Sequence, residues 1–238
     1  MARTNLIRTG EFPYHVTGRT NNKEWFSVTM PECWTIFGQT LQEVTQKFGA
    51  KIGTFVLMSN HFHMIIWTPN ENLDQIMNYF MSRTSLLINK KAEKINHVFG
   101  ARYKWSLIQT AEYLTQAYRY NYQNPLRAGL AICVEDYLYS SSYYLSRGRK
   151  CHFQLFDELL VEHSYVPSAI KDRLIWLNEP YNVGQARVLR KALQRSIFNF
   201  PKHKQFAAIV SSLRIAVPKV DDRLLEVVSR VGVEPTTR

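Results

Sequence analysis

Two histidines, His61 and His63, stand one residue apart in the stretch 54–67, which reads Thr-Phe-Val-Leu-Met-Ser-Asn-His-Phe-His-Met-Ile-Ile-Trp. Side chains of a strand alternate faces, so both imidazoles project from one face and Phe62 from the other. Two neutral imidazoles held side by side on a rigid element are a start for a divalent-metal site. The same pair also suits a partly buried strand whose polar side chains hydrogen-bond to each other. Further along, Tyr118, Tyr120 and Tyr122 precede Asn124 in one helical segment. Residues four apart share a helix face, so Tyr120 lines up with Asn124 while Tyr118 and Tyr122 point elsewhere. A phenol and an amide brought to the histidine pair would supply a nucleophile and a third ligand. An aromatic helix packed on a sheet gives the same pattern without chemistry.

The elements that must position these groups follow from periodicity. The runs 55–58 and 64–67 are short and rich in β-branched and aromatic residues, which predicts a central strand buried on both faces with Ser59, Asn60, His61 and His63 as its polar interruption. Residues 12–19 alternate as a half-buried first strand, with His15, Thr17 and Arg19 on the polar face. There His15 is open to three roles, third metal ligand, polar neighbour or phosphate contact, and Arg19 is a phosphate contact. Residues 25–28 are ambiguous. Pro31 suits a helix first turn, Cys33, Phe37, Leu41, Val44 and Phe48 form an apolar stripe, and Gly49 is a C-cap. This helix leads into the histidine strand as a β-α-β arrangement.

After a turn at 69–72, Asn72 with Gln75 resembles a capping box opening a second helix through Leu73, Ile76, Met77, Phe80, Thr84, Leu87 and Ile88. Residues 102–108 predict a strand that interleaves the cations Arg102 and Lys104 with aromatics, a pattern suited to single-stranded nucleic acid and equally to a half-exposed edge. Thr110 caps the tyrosine helix, which Pro125 must end. In the tail, 183–198 predicts a helix with Ala186, Leu189, Leu193 and Ile197 on one face and Arg187, Arg190, Lys191 and Arg195 on the other. That basic face is either solvated or laid against a DNA backbone. Residues 206–217 and 224–231 add helix.

The 238 residues carry 30 Lys and Arg against 19 Asp and Glu, a net charge of +11 that favours a polyanionic partner. No apolar run is long enough for a membrane span, and the N-terminus lacks an apolar signal core, so a cytoplasmic, nucleoid-associated protein is expected rather than a membrane one. Cys33, Cys133 and Cys151 are scattered without a C-x-x-C pair, which argues for a reducing compartment and against a zinc module. Nothing resembles a P-loop, so nucleotide hydrolysis is not expected.

Three ordered motifs, His-Val-Thr-Gly-Arg at 15–19, Met-Ser-Asn-His-Phe-His at 58–63 and Arg-Tyr-Asn-Tyr-Gln-Asn-Pro-Leu-Arg-Ala-Gly-Leu at 119–130, together resemble the single-tyrosine HUH transposases, most of all the REP-associated tyrosine transposases. The Asp136-Tyr137 and Ser140-Ser141 segment is similar to that family too, and the likeness covers about residues 10–145. It departs at Gly18 and at the 20–23 turn.

The resemblance implies an α+β fold, with a ferredoxin-like catalytic domain built on a central antiparallel sheet over residues 1–150. Residues 151–238 lie outside the resemblance, and the pattern of their residues alone predicts a basic helical extension there. The resemblance implies Tyr120 as nucleophile, His61, His63 and Asn124 as ligands of Mg or Mn, and cleavage and rejoining of single-stranded or hairpin DNA through a 5′-phosphotyrosine. Cations at Arg102, Lys104 and Arg127, with His15 and Arg19, would contact DNA. A homodimer stays open. A non-cutting DNA-binding protein on the same fold, or a nuclease using water in place of Tyr120, are the competing readings, and a covalent protein–DNA adduct separates them.

Overall fold

The computed structural model describes residues 5–95, 97–202 and 204–215. Strand β1 (Tyr14–Arg19) is followed by α1 (Met30–Phe48), β2 (Lys51–Leu57), β3 (His61–Trp67), α2 (Leu73–Ala92) and β4 (Lys104–Leu107). The four strands form one antiparallel sheet in the order β2-β3-β1-β4. This is the ferredoxin-like α+β arrangement expected from the sequence, in which each βαβ half is split by a strand of the other.

The stretch 54–67 differs from its expected form. It is two strands, β2 and β3, paired antiparallel across a tight connection at 58–60. The polar Ser59-Asn60 is that connection, and a chain reversal there lets both apolar runs stay in the sheet interior. Alternation within β3 still holds, because both histidines lie on the same strand.

One face of the sheet is covered by α1 and α2, against Tyr14, Val16, Phe55, Leu57, Phe62, Met64 and Ile66. The rings of Phe37, Phe55, Phe62 and Phe80 meet there at centroid distances of 5.4–6.0 Å. Gly18 is required by this packing, since a Cβ on it would lie 2.6 Å from the Phe62 ring. Helix α1 opens with a reciprocal cap, Thr29 N–H and hydroxyl both donating to Glu32 Oε2, and closes on Gly49 at φ 69°. At α2 the expected capping box is not formed. Asn72 makes no side-chain cap bond and instead donates from Nδ2 to the Phe48 carbonyl, tying the α2 start to the α1 end.

The other face carries α3 (Ala111–Tyr122), capped by Thr110 Oγ1 accepting from Tyr113 N–H, and the short α4 (Asn124–Arg127) that restarts at Pro125. Beyond them come α5 (Ser141–Ser146), α6 (Asp157–Glu162), α7 (Ile170–Asn178), α8 (Val183–Ala192) and α9 (Ala207–Ile215). Side chains from α6, α7, α8 and α9 join α3 and the sheet residues Val56, Ile65 and Trp67 in a second core, so α3 is sandwiched between sheet and C-terminal helices. The predicted 183–198 helix ends at Ala192. Ile197 then bridges Leu107, with Leu107 N–H on the Ser196 carbonyl and Phe198 N–H on the Leu107 carbonyl, each at 2.8 Å. Pairing with the β4 edge satisfies backbone groups that a longer helix would leave on an open strand. Of the further helix expected at 206–217, α9 accounts for the part up to 215. The 224–231 expectation lies outside the described residues.

Candidate active site on the α3 face of the sheet

In the β1–β3 ladder His15 lies opposite Ile65 and Thr17 opposite His63, so His15 and His63 are diagonal neighbours on one face, and Arg19 lies opposite His61. Lys104, opposite Thr17 on β4, joins the same face from the sheet edge. Tyr120 of α3 closes over this corner, its ring 5.9 Å from that of His63 and 6.3 Å from that of His15.

The two ring nitrogens of each β3 histidine have separate surroundings. Nδ1 of His61 is 2.6 Å from Asn60 Oδ1, and the Asn60 amide nitrogen is occupied by the Lys23 carbonyl at 2.7 Å. That fixes the amide oxygen toward the imidazole, so His61 carries its proton on Nδ1. Nδ1 of His63 is 3.1 Å from His15 Nε2. Among the described residues neither Nε2 atom has a hydrogen-bond partner.

Burial and neighbouring charge keep both rings neutral. Desolvation, with the Arg19 guanidinium, lowers His61 to about 4. Desolvation, the other two imidazoles, Arg127 and Arg19 push His63 well below its ordinary value. A neutral imidazole is the protonation state that metal ligation requires, and the Asn60 contact leaves the Nε2 lone pair of His61 free for it.

The three tyrosines separate cleanly. The Tyr118 hydroxyl bonds Asp157 at 3.2 Å and accepts from Arg173 at 3.2 Å, and the Tyr122 hydroxyl meets Ser141 Oγ at 2.9 Å. Their rings pack edge to face at 4.8 Å inside the second core, and burial raises both phenols far above their ordinary range. Tyr120, on the sheet side, has no hydroxyl partner among the described residues and carries the Arg127 guanidinium 4.3 Å over its ring.

Asn124 is 6% exposed and folds back on its own helix, Nδ2 donating to the Tyr120 and Asn121 carbonyls at 3.0 and 3.3 Å. Its Oδ1 accepts from Arg127 Nη2 at 2.8 Å, and an amide oxygen with two lone pairs retains one for a further partner. Among the described residues no group of three His, Cys, Asp or Glu side chains is arranged to hold a metal. A His61, His63 and Asn124 set is compatible with that finding, because its third donor is an amide oxygen.

The other expected contacts divide. Arg19 and Lys104 are exposed at the histidine corner, and Arg127 is half-buried beside Tyr120 with a buried Nη1 that lacks a partner. His15, by contrast, is 2% exposed with its ring stacked on His63 at 5.3 Å, so neither a DNA contact nor a third metal ligand describes it; its Nε2 is spent on His63. Arg102 lies elsewhere, lining a cavity with Asp74, Asn78 and Tyr103 at the α2 side of the sheet. Arg187 and Arg190 are exposed on α8, and Arg195 is exposed beyond its end. No contact among the described residues links these three to the histidine pair.

Sequence reasoning missed the supports: Asn60 behind His61, Thr54 and Asn121 behind His15, and the Arg173–Asp157 ion pair behind Tyr118. A signal for Thr54 and Asn121 existed, since each interrupts an otherwise apolar buried face.

The fold is α+β, with helices on both faces of a four-stranded antiparallel sheet. Residues 10–123 match the family described as "Transposase IS200 like". Among solved structures, one titled "Structure of the REP associates tyrosine transposase bound to a REP hairpin" is similar in fold at TM-score 0.54 and 15% identity, covering 66% of this chain and 93% of the other. No curated protein matches the chain. Among the described residues no helix is long and apolar enough to cross a membrane.

Proposed function

We propose that this chain is a metal-dependent single-strand DNA transposase that cuts and rejoins through a 5′-phosphotyrosine on Tyr120. Residues 1–150 carry the catalytic domain, and 151–238 are a basic extension whose helices α6, α7, α8 and α9 pack against α3. The observation that carries the reading is the contrast among three neighbouring tyrosines. Tyr118 and Tyr122 are committed to buried hydrogen bonds, while Tyr120 presents an unpartnered hydroxyl beside two neutral histidines and an arginine.

His61, His63 and Asn124 would hold Mg or Mn. Such an ion, when bound, polarises a phosphate and offsets the charge that develops on it during transfer. The chain's own residues do the rest. Asn60 and His15 orient the two imidazoles, and Arg127 supports Tyr120 from the opposite side of its ring. The unpaired Nη1 of Arg127 and the exposed Arg19 and Lys104 supply cations for the phosphate backbone. Tyr120 Oη forms a bond to phosphorus as the P–O3′ bond breaks. The phenolic proton leaves with the departing oxygen, and a 3′-hydroxyl is released. The ester keeps the bond energy for rejoining, which agrees with a chain lacking a nucleotide-hydrolysis motif.

DNA as partner is supported by the +11 charge and by the family match, and a hairpin-bearing single strand by the hairpin bound to the structural relative. Incubating the protein with end-labelled hairpin single strands and Mn²⁺ tests the reading. A band of slowed mobility on a denaturing gel is expected. Cleavage without an adduct would favour water as nucleophile, and binding with no cleavage would favour a non-cutting DNA-binding protein.

A further inference from the structure

Ligation through Nε2 requires His63 to carry its proton on Nδ1. For His61 the Asn60 amide fixes this directly, but His63 faces another imidazole. The His63 Nδ1 to His15 Nε2 contact at 3.1 Å has a direction, since one nitrogen donates and the other accepts. What lies behind His15 sets that direction.

Nδ1 of His15 is buried without a hydrogen-bond partner, and so is Oδ1 of Asn121. His15 lies opposite Ile65, which in turn lies opposite Thr54, so the Asn121 amide held on Thr54 stands on the same sheet face as His15, and the two unpaired atoms are a complementary donor and acceptor. The other end of the Asn121 amide is occupied. Its Nδ2 donates to Thr54 Oγ1 at 2.9 Å, and the same oxygen accepts Ile65 N–H at 3.1 Å. Thr54 reaches that position because the β2–β3 register shifts between Ile52 and Thr54.

We propose that Thr54, Asn121 and His15 form a hydrogen-bond relay that orients His63, holding its proton on Nδ1 and presenting Nε2 to a divalent cation. The order runs from His63 Nδ1–H to His15 Nε2, from His15 Nδ1–H to Asn121 Oδ1, and from Asn121 Nδ2–H to Thr54 Oγ1. His15 and Asn121 are therefore positioning residues, acting through His63 without touching substrate. The proposal rests on the metal reading for its purpose, while the hydrogen-bond order belongs to the metal-free chain. The reverse order would need the Asn121 amide turned over. It would place the His63 proton on Nε2 and block ligation. Outer partners of this kind govern both ring orientation and metal affinity.

The test is long-range ¹H–¹⁵N correlation of histidine rings in the metal-free full chain near neutral pH, with signals assigned by single substitutions. Both His15 and His63 are expected to be protonated on Nδ1 and bare on Nε2; a proton on Nε2 of His63 overturns the relay. Asn121→Asp keeps an acceptor for His15 and should preserve both tautomers and Mn²⁺ affinity. Asn121→Leu should erase the His63 tautomer preference, leave His61 unchanged and weaken Mn²⁺ binding about 10- to 100-fold. Unchanged affinity in that variant also overturns the relay. Should Asn121→Leu not fold, the parent and Asn121→Asp spectra decide. A parent protein whose His61 and His63 signals ignore Mn²⁺ contradicts the metal reading itself, whatever the tautomers.

Discussion

The two faces of the sheet are built by the same strands and do different work. On the α1–α2 face, β3 contributes Phe62, Met64 and Ile66 to an uninterrupted aromatic and aliphatic core. On the α3 face the same strand contributes His61 and His63 at one end and Ile65 and Trp67 at the other. That face is therefore graded along its length, apolar where the C-terminal helices close over it and polar at the corner where Tyr120, with Arg127 over its ring, meets the histidines. The lesson is that a period of two lets one strand serve both stability and chemistry, because adjacent residues answer to different neighbours. The polar corner costs burial of nitrogen and oxygen atoms, and its hydrogen bonds offset that cost.

The comparison is broken most sharply by exchanging one residue on each side. His63→Ala should remove several kcal/mol of transition-state stabilisation, a loss of about a thousandfold or more in cleavage rate, while melting within a few degrees of the parent. Cleavage by this variant at the parent rate would refute the metal assignment. Phe62→Ala, one residue away, should do the opposite. It is expected to cost about 3–5 kcal/mol in denaturant unfolding, and the fraction that stays folded should keep its DNA cleavage.

Acid sharpens the contrast further. His15 and His61 are both held at about 4, below their ordinary 6.5, chiefly by burial. The unfolded chain thus takes up protons first as pH falls, so stability is full above 6.5 and is lost progressively between 6.5 and about 4. His15→Gln should flatten that part of the stability–pH curve relative to the parent, and an identical slope in the two proteins would contradict a neutral buried His15. The smallest effect belongs to the surface. Replacing Arg187, Arg190 and Arg195 together should lower the salt dependence of single-strand binding by about 2 in log–log slope if all three meet phosphate, at about 0.7 per contact. An unchanged slope would show α8 to be a solvated face.

Much of this was legible in the residues. Alternation alone put His61 and His63 on one face and Phe62 on the other, and helix geometry alone singled out Tyr120 from its two neighbours. What could not be read was set by partners distant in sequence. The split of 54–67 into two strands depends on pairing that periodicity does not encode. The end of α8 at Ala192 depends on an open β4 edge. His15 stayed open between metal ligand, polar neighbour and phosphate contact because a polar strand face gives no hint of what covers it, and α3 covers it here. Arg102 falls on the far side of the sheet because β4 begins only at Lys104.

The central claim is that Tyr120, alone among three tyrosines within five residues, bonds to DNA. Trapping the protein on a hairpin single strand with Mn²⁺, digesting it and mapping the DNA-linked peptide by mass spectrometry tests that claim directly. The account predicts the linkage on Tyr120, its loss in Tyr120→Phe with fold and hairpin binding retained, and its persistence in Tyr118→Phe and Tyr122→Phe. A linkage found on Tyr118 or Tyr122, or an adduct that survives Tyr120→Phe, would contradict it.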